Sequence, residues 1–346
     1  MNKATRFVTV STVSLLVLAA CGGDSGRQEA AGSSAVLGES QSRIGTPPDG
    51  LAATFDYEPQ LPVPAVELPG AGTLVGGTIT EVSLTAVDGA TISATLTTPA
   101  GRGPFPTVML QHGLGGRRQD VSQFHQTFTD LGFATVAIDV RGHGSLSTPE
   151  QLPTALAAGA PARDLFVNSV RDLRQTIDFL KSRAEIDANR IGYIGFSLGG
   201  ILGADFAAAD DRIKAVALVG AGADWSSILS GTDIDWIREL RANDASFVER
   251  AAQALNVVDP KWWVGSIAPR PVLVIRGDRD EIVPVDSTEV LLEAGGSNVE
   301  VVTYRGGHTP TGRNDTEMRR ALTGFMTTHL GAESVATTAD SAVIRP

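Results

Sequence analysis

The sequence predicts an α/β fold in which a mostly parallel, doubly wound sheet carries helices on both faces. Short, apolar, β-rich segments recur along the chain, and helical patterns lie between them. Such segments are typical of strands that are buried on both faces of a parallel sheet. Their alternation with helices indicates crossover connections. A stretch of alternating apolar and polar residues precedes them and predicts an antiparallel pair at the start of the sheet.

The elements follow in order along the chain. The antiparallel pair is "TITEVSLTAV" and "TISATLTT", which flank the turn signal Asp88-Gly89. The six buried strands are "PTVMLQH", "FATVAID", "RIGYIG", "IKAVALVG", "RPVLVIRG" and "NVEVVTY". One of the intervening helices is indicated by apolar positions at helical spacing from Leu165 to Leu180. Because chemistry in such sheets gathers at the carboxyl ends of the strands, the segments that follow each strand are the candidates for a site.

The chain begins with a predicted processing signal over residues 1–20. The segment "MNKATR" is positively charged, and the apolar run that follows is too short to span a bilayer comfortably. The run ends in "LAAC", and Cys21 is the only cysteine in the chain. This ending resembles the lipobox of bacterial lipoproteins, which implies lipidation of Cys21 and anchoring to a membrane of the cell envelope, outside the cytoplasm. The alternative is an ordinary secretory signal that happens to contain a cysteine.

Composition divides the remainder of the chain. Residues 21–72 are rich in Gly, Ala, Ser and Pro and are predicted to form a flexible tether. Within them, "LAATFDYEPQ" is a candidate for packing on the domain or for an extra edge strand. The predicted folded domain covers 73–331, and a C-terminal tail covers 332–346. The net charge of −11 argues against a nucleic-acid partner, because binding to phosphates requires clustered Lys and Arg.

All four tryptophans lie between the strands "IKAVALVG" and "RPVLVIRG". They are Trp225, Trp236, Trp262 and Trp263. The segment also contains the helix-like stretches "TDIDWIREL" and "ASFVERAAQAL", so we expect a small helical lid over about 223–268. We expect Trp262, Trp263 and Trp236 to form an apolar wall that contacts a substrate.

The main candidate for chemistry is Ser197, in "GFSLGG". It follows a predicted strand directly and precedes a predicted helix, and no other G-x-S-x-G occurs in the chain. A nucleophile on such a sharp turn requires small neighbours, which Gly195 and Gly199 provide. The backbone N–H of Leu198 would face the reacting carbonyl group. Helices also favour serine at their N-termini, so a simple capping role is the alternative.

A serine nucleophile requires a base, and the expected chain order is serine, acid, histidine. Only two histidines follow the strand "RPVLVIRG". His308 lies in the glycine-containing loop after the next strand and is the predicted base, whereas His329 lies in a C-terminal helix. The acid is expected in "DRDEIVP", where Asp278 and Asp280 are equally suitable in position, and Asp224 is a third candidate.

The chain from about residue 73 to 330 resembles the α/β-hydrolase superfamily and, within it, the dienelactone-hydrolase-like branch. The family segment G-x-x-D-x-x-V-P is matched by Gly277, Asp280, Val283 and Pro284, which implies that Asp280 is the acid. The family's H-G-x loop matches "HGLGG" and implies that the backbone N–H of Leu114 is the second oxyanion donor. True dienelactone hydrolases have a cysteine nucleophile where this chain has serine, so their substrate does not carry over.

A further loop, "DVRGHGSLS", follows another predicted strand. We expect Asp139 and Arg141 to brace this loop, with His143 at the rim of the cleft. The sequence contains no H-E-x-x-H motif, cysteine pair or carboxylate cluster with metal-ligand spacing, so neither a metal nor another cofactor is expected.

Together these features predict a serine hydrolase that cleaves small carboxylic esters with short to medium acyl groups. A prolyl-type peptidase or a thioesterase would use the same residues. A non-catalytic binding lipoprotein on the same scaffold is less favoured, because the serine, the acid and the histidine of a catalytic triad are all present.

Overall fold

The computed structural model describes residues 44–69, 74–144, 147–148 and 150–331. In these ranges, nine strands form one sheet in the order β1-β2-β3-β5-β4-β6-β7-β8-β9. The strands are β1 Ala65–Pro69, β2 Gly77–Thr85, β3 Thr91–Pro99, β4 Phe105–Gln111, β5 Ala134–Ile138, β6 Ile186–Phe196, β7 Ile213–Val219, β8 Val272–Gly277 and β9 Val299–Tyr304. The pairs β1-β2, β2-β3 and β3-β5 are antiparallel. The pairs β5-β4, β4-β6, β6-β7, β7-β8 and β8-β9 are parallel. The predicted fold class is therefore confirmed.

Helices cover both faces of the sheet, and each face has its own apolar core. The helices are α1 Gln123–Asp130, α2 Gln151–Ala158, α3 Ala160–Lys181, α4 Leu198–Ala209, α5 Trp225–Gly231, α6 Asp235–Asn243, α7 Phe247–Leu255, α8 Pro260–Trp263, α9 Val285–Gly295 and α10 Arg313–Leu330. Phe166 of α3 and Phe206 of α4 belong to the larger core. Phe128 of α1 and Leu322 of α10 belong to the smaller core. Burial on both faces explains the nearly continuous apolar runs of the central strands.

The last strand differs from its predicted burial. Among the described strands, β9 forms the edge of the sheet and pairs only with β8. Its Glu300 is exposed, and Val301 is 40% exposed. An edge strand has a neighbour on one side only, so its apolar residues are less completely covered than those of the central strands.

Part of the predicted tether is folded. Phe55 is 2% exposed, and its ring lies 4.7 Å from that of Trp263. The guanidinium group of Arg174 donates a hydrogen bond of 2.6 Å to the carbonyl oxygen of Phe55. β1 then adds an antiparallel edge to β2. Residues 44–69 therefore do not form a free tether, and Phe55 shows the arrangement expected as the alternative for "LAATFDYEPQ", which is packing on the domain.

Four short helices, α5 to α8, occupy the segment that was predicted to be a lid. Helix α6 begins within the helix-like stretch "TDIDWIREL" and continues to Asn243, and "ASFVERAAQAL" contains α7. The segment begins after β7 and returns to the sheet at β8. It therefore lies at the carboxyl end of β7, the end of the sheet where a site is expected.

The predicted signal (1–20), Cys21 and the C-terminal tail (332–346) lie outside the described residues. Among the residues that are described, no helix has both the length and the apolar character needed to cross a membrane. Within the same ranges, no group of three or more His, Cys, Asp or Glu side chains has an arrangement that could hold a metal ion.

Candidate active site

Ser197 lies on a strained turn between β6 and α4. Its φ of 55° and ψ of −118° are unusual for a residue that has a side chain. A Cβ atom on Gly195 would collide with the backbone of Gly199, so the turn requires glycine there. The backbone N–H of Ser197 donates a 2.7 Å hydrogen bond to the carbonyl oxygen of Val219 at the end of β7. The turn thus presents the serine at the carboxyl end of the sheet, as the sequence predicts, and does not serve as a simple side-chain cap.

His308 connects Ser197 to an acid. Its Nε2 lies 2.9 Å from Ser197 Oγ, and its Nδ1 lies 2.7 Å from Asp280 Oδ2. The other oxygen, Asp280 Oδ1, accepts hydrogen bonds of 2.9 Å from the backbone N–H groups of Ile282 and Val283. The carboxylate is therefore fixed on both sides. With Nδ1 donating to Asp280, Nε2 is unprotonated and can accept the serine proton.

The other acid candidates lie elsewhere. Asp278 Oδ1 accepts a 2.9 Å hydrogen bond from the backbone N–H of Gly306, so Asp278 supports the loop before His308 and not its imidazole ring. Asp224 pairs with the ammonium group of Lys261 at 2.9 Å. The structure thus brings Asp280, the acid implied by the family resemblance, to the histidine.

Tyr304 also supports the histidine loop, a contact that the sequence did not reveal. Its hydroxyl group lies 2.9 Å from the carbonyl oxygens of Gly307 and His308. Burial, with a smaller contribution from the charge of Asp280, raises the pKa of Tyr304 to about 12. The phenol therefore remains a hydrogen-bond donor throughout the physiological pH range.

The two expected oxyanion donors belong to segments that adjoin Ser197. Leu198 is the first residue of α4, where backbone N–H groups have no partner within the helix. Leu114 belongs to the loop after β4, which passes close to the serine: a Cβ atom on Gly113 would lie 3.0 Å from Ser197 Cβ. The side chains of Leu114 and Leu198 both line a cavity together with Ser197.

This cavity, which we call the acyl cavity, has a volume of ≈ 50 Å³. A water molecule takes about 30 Å³ in the liquid, so the space is small. The residues that line it, apart from Ser197 and Thr232, are apolar: Leu114, Leu152, Leu156, Phe166, Leu198, Ile201, Trp225, Ile228, Leu229, Ile234, Trp236, Ile237, Ile282 and Val283. Helices α5 and α6 supply five of these residues: Trp225, Ile228, Leu229, Trp236 and Ile237.

The structure brings one of the three tryptophans of the predicted wall to the cavity and places the other two elsewhere. Trp236 lines the acyl cavity, but Trp262 and Trp263 do not. Trp263 packs on Phe55, and the indole N–H of Trp262 donates a 3.0 Å hydrogen bond to Asn256. Trp225, which the sequence does not single out as a substrate contact, lines the cavity instead. Trp263 is buried against Phe55 of the folded N-terminal segment and so does not face the cavity. These two residues lie about two hundred positions apart in the chain.

The loop after β5 is braced by ion pairs, as expected. Asp139 accepts hydrogen bonds from the backbone N–H of Arg118 (2.7 Å) and from its guanidinium group (2.6 Å). Arg141 forms two hydrogen bonds with the buried carboxylate of Asp172, at 2.6 and 2.7 Å. His143 follows in this loop and is buried, which lowers its pKa to about 4. The imidazole of His143 is therefore neutral at neutral pH.

Comparison with known proteins agrees with this geometry. The family model for the alpha/beta hydrolase fold matches residues 106–262. The chain therefore has the α/β-hydrolase fold. Its serine, acid and histidine follow strands β6, β8 and β9 of the sheet, in that order along the chain. The structure is similar to acetyl xylan esterase 1 from Thermoanaerobacterium sp. JW/SL YS485, with a TM-score of 0.65 over 82% of this chain and 96% of that one at 22% identity, a likeness that concerns the fold.

Two curated relatives are similar in sequence. One is "Putative hydrolase YtaP" from Bacillus subtilis, 25% identical over 54% of this chain and 64% of that protein. The other is "Putative carboxymethylenebutenolidase" from Methylorubrum extorquens, 26% identical over 65% of this chain and 69% of that protein. The chain thus spans less than two thirds of the length of YtaP.

The contacts of the two aspartates predict different mutant behaviour. Asp280→Asn should lower kcat for ester hydrolysis by roughly 10⁴, because the amide would stabilise the wrong tautomer of His308. Asp278→Asn, the matched control, should cost far less, because its amide oxygen can still accept the hydrogen bond from Gly306. Steady-state kinetics with p-nitrophenyl acetate would measure both. A larger loss in Asp278→Asn would assign the acid to Asp278.

Proposed function

We propose that this protein is a serine hydrolase that cleaves carboxylic esters with short acyl groups. The single observation that supports it most strongly is the continuous chain of hydrogen bonds from Ser197 Oγ through His308 to Asp280. A serine hydroxyl is a poor nucleophile unless an adjacent base accepts its proton. The similarity to "Putative carboxymethylenebutenolidase" supports a place in the dienelactone-hydrolase-like branch, with serine replacing cysteine.

In the proposed reaction, His308 Nε2 accepts the proton of Ser197 while Oγ attacks the carbonyl carbon of the ester. The N–H groups of Leu114 and Leu198 stabilise the resulting oxyanion, and each such donor contributes roughly 10²–10³ in rate. The imidazolium then donates its proton to the leaving alcohol, and an acyl-enzyme on Ser197 remains. His308 then accepts a proton from a water molecule, which attacks the acyl-enzyme. The proton returns to Ser197 Oγ, and the carboxylic acid product is released.

The acyl preference follows from the acyl cavity. Its apolar lining favours a hydrocarbon chain, and each buried methylene group adds about 0.8 kcal/mol until the space is full. A volume of ≈ 50 Å³ accommodates an acyl group of only a few carbons. Of the short to medium acyl groups expected from the sequence, the short ones are therefore favoured.

Covalent labelling tests the nucleophile. A fluorophosphonate probe should form one adduct, which peptide mapping should locate on Ser197. Ser197→Ala should abolish labelling and lower kcat by on the order of 10⁶, because the members of a triad act as a unit. An unlabelled wild-type protein that is folded by circular dichroism would favour the binding-lipoprotein alternative. A labelled protein that cleaves thioesters or prolyl amides faster than esters would refute the ester assignment.

The acyl cavity predicts a change in chain-length preference. In the wild type, kcat/KM for p-nitrophenyl esters should be highest at two to four acyl carbons. Trp236→Ala should move this maximum to longer chains, because Trp236 borders both the acyl cavity and a larger neighbouring one. Trp262→Ala is the matched control, since Trp262 is also partly exposed but lies away from both cavities. A shift in the control, or its absence in Trp236→Ala, would contradict this assignment.

We also propose that Cys21 is lipidated and anchors the protein to a membrane of the cell envelope. The support is the "LAAC" ending of the apolar run and the absence of any other cysteine in the sequence. Cys21→Ala should move the protein from the membrane fraction to the soluble fraction without loss of specific activity. Mass spectrometry of the mature wild-type N-terminus should show a diacylglyceryl modification; an unmodified, soluble wild type would disprove the anchor.

A further inference from the structure

A second cavity adjoins the acyl cavity on the side of the oxyanion loop. It has a volume of ≈ 450 Å³. Leu114, Leu152 and Trp236 line both cavities and therefore form the partition between them. Because Leu114 also carries one of the proposed oxyanion donors, an ester held at Ser197 can place one part in each cavity. The small apolar cavity suits the acyl part, so the larger cavity remains for the alcohol.

The larger cavity has a different chemical character. Among the described residues that line it are Gly115, Gly116, Ser147 and Thr148, and none of those described residues carries a charged side chain. A cationic or anionic alcohol would therefore find no compensating charge there. The cavity suits a neutral, polar leaving group.

His143 is the feature of this cavity that points to a ligand. Its side chain lines the cavity, although the residue as a whole is only 6% exposed. Its Nδ1 lies 3.1 Å from the carbonyl oxygen of Arg141, so Nδ1 carries the proton and donates it. This leaves Nε2 as an acceptor, and Nε2 is buried without a hydrogen-bond partner among the residues that the structure describes. A buried acceptor without a partner is costly, and such atoms are rare in folded proteins.

Its neighbours in the described part of this loop and of the oxyanion loop do not satisfy this acceptor. The nearby ring of His112, 5.4 Å away between centroids, faces Gly113 O with its Nδ1 and the backbone N–H of Val140 with its Nε2. Because burial keeps His143 uncharged at neutral pH, Nε2 retains its lone pair. A hydroxyl group is the neutral donor that matches it.

We propose that this cavity binds the alcohol part of the ester and that His143 Nε2 accepts a hydrogen bond from a second hydroxyl group on that alcohol. The preferred substrates are then short-chain monoesters of neutral diols or polyols. This inference rests on the proposed esterase function and adds the leaving-group specificity to it.

The test compares esters that differ only in this donor. The substrates are the monoacetates of ethylene glycol, 1,3-propanediol and 1,4-butanediol, each paired with its methyl ether, and kcat/KM is measured by pH-stat titration. The series varies the distance from the ester to the hydroxyl group, and the ether oxygen nearly preserves the reactivity of the leaving group. The wild type should prefer at least one hydroxy ester over its ether by about threefold to tenfold, the size expected for one hydrogen bond.

Three variants show whether the preference for the hydroxy ester comes from the hydrogen bond to His143 or from other properties of the cavity. His143→Phe keeps an aromatic ring but has no acceptor and should bring the hydroxy-to-methoxy ratio close to one. His143→Gln supplies an amide oxygen and should restore part of the preference. Ser147→Ala is the matched control, because the Ser147 hydroxyl lines the same cavity but already donates to Gly144 O at 3.2 Å. The preference should persist in this control.

The outcomes are distinct. A ratio near one for all three pairs in the wild type would overturn the inference while leaving the esterase proposal intact, and this measurement needs no variant to fold. An unchanged preference in His143→Phe would also overturn it. If the wild type neither hydrolyses p-nitrophenyl acetate nor reacts with a fluorophosphonate, both proposals fail.

Discussion

The strained conformation of Ser197 is the constraint on which the site depends. With φ at 55°, β6 can end at Phe196 and α4 can begin at Leu198, with no connecting loop. The serine is therefore fixed to the rigid centre of the sheet, and the first turn of α4 directs its free N–H groups toward the same point. The loop at Gly113 must then pass within van der Waals distance of the serine. The position of the cavity follows from that approach.

The parts that could be predicted from the sequence are those encoded locally. Buried strands are recognisable because burial on both faces requires a run of apolar residues, and the turn at Ser197 is recognisable because it requires glycine at fixed offsets. Chain order left His308 and His329, and the glycine-containing loop around His308, against the helix around His329, selected His308. Chain order was not sufficient for the acid, since Asp278 and Asp280 differ in the direction of their side chains and not in distance along the chain. The family resemblance, and then the hydrogen bonds, separated them.

The parts that could not be predicted depend on contacts between distant segments. Composition predicts a tether over residues 21–72 with "LAATFDYEPQ" as a candidate for packing on the domain, but it does not say what this stretch contacts: Phe55 packs against Trp263, and Tyr57 hydrogen-bonds to Asp178. The same contact removes Trp263 from the candidate substrate wall. A tryptophan in a lid has several apolar surfaces available to it, and nothing in the local sequence states which one it covers. The partition between the two cavities is likewise a property of packing.

The edge position of β9 has a consequence for how the triad fails. Ser197 follows a central strand, but the loop that carries His308 follows β9, which is paired on one side only and is partly exposed. Strands of this kind open locally at a lower free energy than the central sheet. Fraying of β9 would withdraw the imidazole while the serine turn and most of the core stay folded. Heat or mild denaturant should therefore inactivate the proposed enzyme before unfolding becomes visible by spectroscopy. Amide hydrogen exchange should be faster in β9 than in β6.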